Sequence, residues 1–268
     1  MSLPSTPLAR ALAAALLAAA SPAVFAQAFD AVRLFGAAPG EDGGSAGAVL
    51  VSGPAYGGSN ERWNRIYPLL DYQWKNGWFA GTTNGIGVDF SKDPRSQYGL
   101  RVTADLGREE KRSAALAGMG DIDIRPEFGA FFNYYASKEI FLTSSLRYGS
   151  GNDRKGLTVD LGAGWSDYVA PRWRLGVGLA TTLLNANAME SRFGVSAAQA
   201  VTSGYAEYTP GAGLRDVRGN LALTYIVTPR FLLTGAVTLA ELLGDAKDSP
   251  LVRRSSQASG VFAVSYGF

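Results

Sequence analysis

The stretch LTVDLGAGWSDYVAPRWRLGVGLATTLL, Leu157 to Leu184, decides the reading of the chain. Alternate residues of an extended strand fall on opposite faces, so a period of two sorts this segment into two surfaces. Leu157, Val159, Leu161, Ala163 and Trp165 share one face, against Thr158, Asp160, Gly162, Gly164 and Ser166 on the other. After the tight turn Val169-Ala170-Pro171-Arg172, the residues Trp173, Leu175, Val177, Leu179 and Leu183 oppose Arg174, Gly176, Gly178, Ala180 and Thr182. One face is apolar and the other mixes charge with glycine. In a soluble sandwich the second face meets water. In a membrane barrel the first meets lipid and the second lines a lumen, where glycine makes room for bulky neighbours.

The scheme recurs on both sides. Tyr98, Leu100, Val102, Ala104 and Leu106 oppose Gly99, Arg101, Thr103, Asp105 and Gly107, and Ile122, Ile124, Phe128, Phe132 and Tyr134 oppose Asp123, Arg125, Glu127, Gly129 and Asn133. The last strand sets Phe262, Val264, Tyr266 and Phe268 on one face and ends on an aromatic, as strands read by barrel-assembly machinery do. Short connections fall at Lys75-Asn76-Gly77, Lys92-Asp93-Pro94, Ser137-Lys138-Glu139, Ala170-Pro171-Arg172 and Thr228-Pro229-Arg230. Long ones run from Tyr56 to Trp63, Arg108 to Gly120, Gly149 to Gly156, Asn185 to Asp216 and Gly244 to Gln257. Outer-membrane barrels pair short periplasmic turns with longer outer loops, so this alternation orients the strands. It also requires one more outer turn between Trp78 and Phe90, which the hairpin residues Thr83-Asn84-Gly85 supply. The expected fold is therefore all-β, an antiparallel transmembrane β-barrel of twelve strands, or of ten if that short hairpin does not form. Trp63, Trp74, Trp78, Trp165 and Trp173 lie near strand ends, where an interfacial aromatic belt would place them.

The N-terminus carries Arg10, an apolar run from Ala11 to Ala20 and Val24-Phe25-Ala26, the parts of a secretory signal peptide over residues 1–26. Residues 27–45 read as a periplasmic N-terminal segment and 46–268 as the barrel, located in the outer membrane of a Gram-negative bacterium and in contact with its lipid. No later apolar stretch reaches the roughly 18 residues of a membrane-spanning helix. Cysteine and histidine are absent, which removes disulfides, Cys/His metal sites and catalysis through a thiol or an imidazole. No catalytic residue, cofactor site or metal ligand is assigned, and the chain reads as a non-enzyme; an aspartate-based protease is the remaining chemical route. With 25 basic and 23 acidic residues spread along the sequence, nothing marks a nucleic-acid footprint.

Several blocks carry a family resemblance. Tyr56-Gly57-Gly58-Ser59, Tyr67-Pro68-Leu69-Leu70-Asp71-Tyr72 and Gly120-Asp121-Ile122-Asp123 occur in order with SRFGVSAAQAVTSGYAEYTPGAGLRDV, Ser191 to Val217, and LLGDAKDSPLV, Leu242 to Val252. Together they resemble the MipA/OmpV family of outer-membrane proteins, from about Ala46 to Phe268. The resemblance implies a scaffold that links a murein synthase to the murein-degrading lytic transglycosylase MltA. Other members are described as adhesins, immunogenic porin-like barrels or stress-regulated envelope proteins, so a small channel or a surface adhesin is the alternative.

Four features carry candidate chemistry. Within Asn185 to Asp216, the residues Phe193, Val195, Ala197 and Ala198 are expected to plug the barrel mouth, while Tyr205, Glu207, Tyr208 and Arg215 offer a binding surface. Asp121 and Asp123 read as lumen acids that balance Arg101, Arg125, Arg147 and Arg174, in preference to a cation site. Gly244 to Ser249 supplies oxygens for calcium but lacks the closing Glu of a calcium hand, and reads as an outer turn. GREEKR, Gly107 to Arg112, is either a clamp for lipopolysaccharide phosphates or a solvated loop; its nearly balanced charge favours the loop.

Overall fold

The computed structural model describes residues 41–268, so the expected signal peptide over residues 1–26 and most of the expected 27–45 segment lie outside the described residues. Twelve antiparallel strands form one closed barrel in chain order. They are β1 (Gly43–Pro54), β2 (Arg62–Gln73), β3 (Trp78–Gly81), β4 (Gly85–Asp89), β5 (Ser96–Asp105), β6 (Arg125–Tyr135), β7 (Ile140–Ser150), β8 (Gly156–Ala170), β9 (Trp173–Leu184), β10 (Gly213–Thr228), β11 (Phe231–Leu242) and β12 (Ser256–Gly267). The wall starts at Gly43, so the last three residues of the expected 27–45 segment already belong to it. Closure comes from β1 against β12, with Ala46 opposite Tyr266 and Leu50 opposite Phe262. Gly44 and Phe268 exchange both backbone hydrogen bonds at 3.0 Å, so the last residue of the chain seals the seam.

The apolar stripes face outward. Leu161, Leu179, Leu221, Leu239 and Phe262 are exposed although large, as side chains in contact with lipid should be. Trp74, Trp78, Phe90, Tyr98, Tyr134, Tyr168, Trp173, Tyr266 and Phe268 gather at the periplasmic ends and form the aromatic girdle. Within it Trp173 lies 4.7 Å from Tyr225, and Tyr72 lies 4.9 Å from Trp74 and 6.3 Å from Phe268, centroid to centroid. Trp63 departs from the expected belt. It belongs to the inward parity of β2 and packs beneath the outer loops.

Two strands are far shorter than the rest. Only twelve residues run from Trp78 through Asp89, and a three-residue turn takes part of them, so β3 has 4 residues and β4 has 5 where β10 has 16. At about 3.3 Å per residue, and tilted by about 45°, the β3–β4 hairpin rises less than halfway across a bilayer. β2 accordingly pairs with β3 only from Asp71 to Gln73, and nothing in the wall flanks its remaining outer residues on that side. The barrel is closed near the periplasm and notched towards the outer leaflet.

Candidate functional site

Inward-facing side chains divide the lumen into two halves. On one side Val49, Val51, Leu69, Ala222, Ala236, Val261 and Ala263, from β1, β2 and β10 to β12, form a buried apolar cluster joined by Tyr67. Small residues bring the walls close enough that the interior fills with side chains, and a water-filled lumen would leave these residues accessible. Beside this cluster runs a polar chain. Arg147 binds Glu127 at 3.1 Å and Asp160 at 2.8 Å, and Arg218 reaches Asp160 at 3.5 Å and Asp216 at 2.9 Å. Arg215 closes on Asp216 at 2.5 Å. The Thr182 hydroxyl donates to Asp160 and accepts from Arg215 and Arg218. Three guanidiniums thus meet three carboxylates, the neutral balance that low-dielectric burial demands.

This network corrects the expected set of lumen acids. Asp121 and Asp123 lie above the first rung of β6, exposed on the outer loop, where Asp121 accepts from the Glu110 backbone N–H at 2.6 Å. They meet none of the four arginines assigned to them. Arg147 pairs inside the lumen, while Arg101 donates to Ser145, Arg174 to Ser166 and Arg125 to the Gly151 carbonyl. The acids that matter are Glu127, Asp160 and Asp216. Asp160 is signalled in the sequence by its charge on a face otherwise made of glycine, threonine and serine, and Glu127 by its place on the polar face of β6.

The other half of the lumen, between β3 and β7, stays partly accessible at Phe79, Gln97, Arg101, Thr103, Phe131, Asn133, Thr143 and Ser145. Arg101 sits 5.7 Å from the Phe131 ring. This half lies beneath the notch.

The outer mouth is covered by a cap of loops. Residues 185–212 fold into helix α1 (Ala186–Phe193) and helix α2 (Ala197–Ser203). The Asn185 side chain accepts from the Ala188 N–H at the start of α1, and Ser196 with Gln199 forms a capping box on α2, which satisfies N–H groups that a helix start leaves unpaired. Met189 and Phe193 are 0% and 2% exposed and pack with Leu184, Ala188, Leu242 and Ala246 of helix α3 (Gly244–Lys247). Val195 joins Ala55, Tyr56, Leu116, Met119 and Leu251. Phe193 and Val195 therefore enter the mouth as expected, whereas Ala197 and Ala198 point to solvent on the far side of α2. The proposed binding surface is internal structure instead. Tyr205 donates to the Ala115 carbonyl and Tyr208 to the Asp245 carbonyl, Arg215 is buried in β10, and Glu207 alone of the four is exposed without a bonded partner among the described residues. Asp245 accepts from the Gly211 N–H at 2.6 Å, so the 244–249 segment anchors the cap; among the described residues no cluster of acids offers a metal site.

GREEKR also proves more than a solvated loop. Only Glu109 and Lys111 pair at the surface, at 3.4 Å. Glu110 turns back to accept from the N–H groups of Gly118 and Gly120, and Arg108 is buried with its guanidinium on the Arg192 carbonyl. Arg192 in turn binds Asp105 of β5 at 2.7 Å, tying α1 to the wall. Gly118 adopts φ +80°, where a Cβ would stand 2.4 Å from the Thr202 carbonyl oxygen, so this loop and α2 touch backbone to backbone. Arg112 lies 4.7 Å from the Trp63 ring, as does Arg65.

Two phenols link the cap's segments. The Tyr56 hydroxyl donates to the Leu251 carbonyl at 2.9 Å, and burial, then Tyr205, pushes its pKa above the usual 10.0. Burial and the Asp245 and Asp248 carboxylates raise Tyr208 likewise. An acid raised on folding stabilises fully below its unfolded pKa, and that contribution is lost as pH climbs through the folded value. Protease cleavage within 185–212 should therefore accelerate above about pH 10, and Tyr56→Phe with Tyr208→Phe should flatten the rise. A parent protein with a flat profile from pH 8 to 11 would contradict this assignment.

An indentation of about 760 Å³ marks the outside of the wall, with Leu179, Val217 and Leu239 on its floor and Glu61, Arg62, Glu241 and Arg254 at its rim. Its charges balance.

Outward apolar stripes, an aromatic girdle, a lumen half filled by its own side chains and a folded cap define a lidded transmembrane β-barrel of the outer-membrane type. Within that class the chain belongs to the MipA family: the profile described as "MltA-interacting protein MipA" matches residues 46–268. Among curated protein sequences none matches. Solved structures share the barrel architecture at low identity. The NanC porin is 11% identical over 82% of this chain and 98% of its own, with a TM-score of 0.48. The KdgM porin is 9% identical over 84% and 99%, with 0.47, and the outer-membrane channel DcaP of Acinetobacter baumannii is 8% identical over 85% and 96%, with 0.39. Likeness at this level, with TM-scores below 0.5, carries no inference about this chain.

Proposed function

We propose that the protein is a non-enzymatic barrel that anchors murein enzymes at the inner face of the outer membrane. The observation that carries this reading is the filled half-lumen under a folded cap, an architecture that gives up a wide passage and leaves surfaces as the working parts. The family description adds the chemistry of the partner, a lytic transglycosylase, with a murein synthase as the second arm of the scaffold. Docking would use the periplasmic turn tips, such as Lys138 and Arg172, together with the segment before β1. The purified full chain, immobilised in detergent, should retain a lytic transglycosylase or a murein synthase from solubilised envelopes, and absence of both would remove the scaffold reading.

The alternative with an observation behind it is a small channel, because the β3–β7 half of the lumen stays partly accessible. Planar-bilayer recording separates the two. The scaffold reading expects no steady conductance from the capped barrel, and stable open steps in every insertion would favour the channel.

A further inference from the structure

We infer that the notch above the β3–β4 hairpin is a binding site for a phosphorylated lipid of the outer leaflet, which enters sideways between β2 and β5. The inference is independent of the murein reading. Three observations on the same edge converge on it.

The first is the missing wall. β2 runs inward from Arg62, and its Leu70 backbone exchanges hydrogen bonds with Thr82 at the top of the hairpin. By strand alternation the backbone groups of Asn64, Ile66 and Pro68 face the same side, now without a neighbouring strand. Pro68 has no N–H to leave unsatisfied, which suits an open edge. Bare strand edges are costly in hydrocarbon, so this gap calls for an occupant that brings polar groups as well as acyl chains.

The second is the charge above the gap. Arg65 and Arg112 each stand 4.7 Å from the Trp63 ring, so they are separated by at most twice that distance, within reach of one phosphorylated headgroup. Neither has a carboxylate within 4.0 Å among the described residues, and the Arg112 Nε is buried with no hydrogen-bond partner. Glu109 is the nearby acid, and Lys111 holds it. Arg65 belongs to the inward parity of β2 yet is exposed, because the wall beside it is absent. Two cations unpaired by acids and stacked on an indole form a preorganised anion receptor.

The third is the apolar path below the charge. Ile66 is 72% exposed, and Leu70, Ile86 and Val102 line the flanks of the notch down to the hairpin. A headgroup phosphate at Arg65 and Arg112 would leave its acyl chains along this edge, in the leaflet where chains already lie. A soluble anion would use the arginines and ignore the edge.

The test uses the full chain in neutral detergent, titrated with diphosphoryl lipid A, with its dephosphorylated form and with inorganic phosphate, and read by native mass spectrometry. The parent should hold the diphosphoryl lipid at least about tenfold more tightly than the dephosphorylated form, and Arg65→Gln with Arg112→Gln should abolish that preference. Arg62→Gln with Arg254→Gln, at the charge-balanced indentation, should change binding by less than about twofold. Ile66→Asp should weaken the lipid and spare any binding of inorganic phosphate. Heat-modifiable migration on gels shows that each variant is folded. The proposal is overturned if the folded Arg65→Gln/Arg112→Gln protein keeps its lipid, or if millimolar inorganic phosphate displaces it completely, which would mark a soluble-anion site.

Discussion

Replacing Arg218 by Leu is expected to lower the unfolding free energy by about 3–5 kcal/mol, the cost of breaking a buried ion network and leaving it one cation short. Arg218 is 1% exposed and touches Asp160, Asp216 and the Thr182 hydroxyl at once. Its removal turns a balanced set of three cations and three anions into one with a net negative charge in a largely buried space. Arg218→Lys keeps the charge but loses the fork, and should fall between the parent and Arg218→Leu. Urea unfolding in detergent, followed by tryptophan fluorescence, measures the difference. A loss below about 1 kcal/mol would mean that the network is solvated, as exposed ion pairs are, and that the lumen is wetter than its burial indicates.

The second large effect is expected at the cap. Phe193→Asp removes a buried ring, which costs about 3–5 kcal/mol when truncation leaves a cavity, and puts a charge into the apolar cluster of Met189, Leu242 and Ala246. Because α1 and α2 rest on the barrel through side chains, the loss should open the cap and leave the wall intact. Limited proteolysis should then cut within 185–212 while the barrel keeps its heat-modifiable migration. Planar-bilayer current should rise only modestly, since Val49, Ala222 and Arg218 still fill half of the lumen. A variant with a protease-resistant cap would show that α1 is held by other contacts, chief among them Arg192 to Asp105. A current as large as that of an open barrel would show that the cap was the barrier.

The network and the cap were not equally legible beforehand. Phe193 and Val195 stood out because an apolar pair in a long outer connection needs burial, and both found it. Asp121 and Asp123 share a parity with Glu127, but parity says only which face a residue takes, and those two rise above the last rung of the sheet. Asp216 is hidden in the sequence because the long connection reads as reaching it, whereas β10 begins at Gly213. Trp63 looked like a belt residue because it is an aromatic near a strand end. Its position beneath the cap depends on Leu116 and Met119, which arrive from the distant loop after β5.

Period two and the alternation of short and long turns determined a transmembrane barrel of twelve or ten strands, its orientation and its lipid-facing stripes, because a strand's faces and a hairpin's length are local properties of the chain; the closed structure decided twelve. The shortness of the Trp78 to Asp89 hairpin was visible there too. Tertiary structure alone decided which acids pair in the lumen, which half of it is filled, and that Arg65 and Arg112 meet on one indole above the notch. Those contacts join residues from different strands and loops. Their geometry follows from closure of the barrel and folding of the cap, which no local pattern encodes.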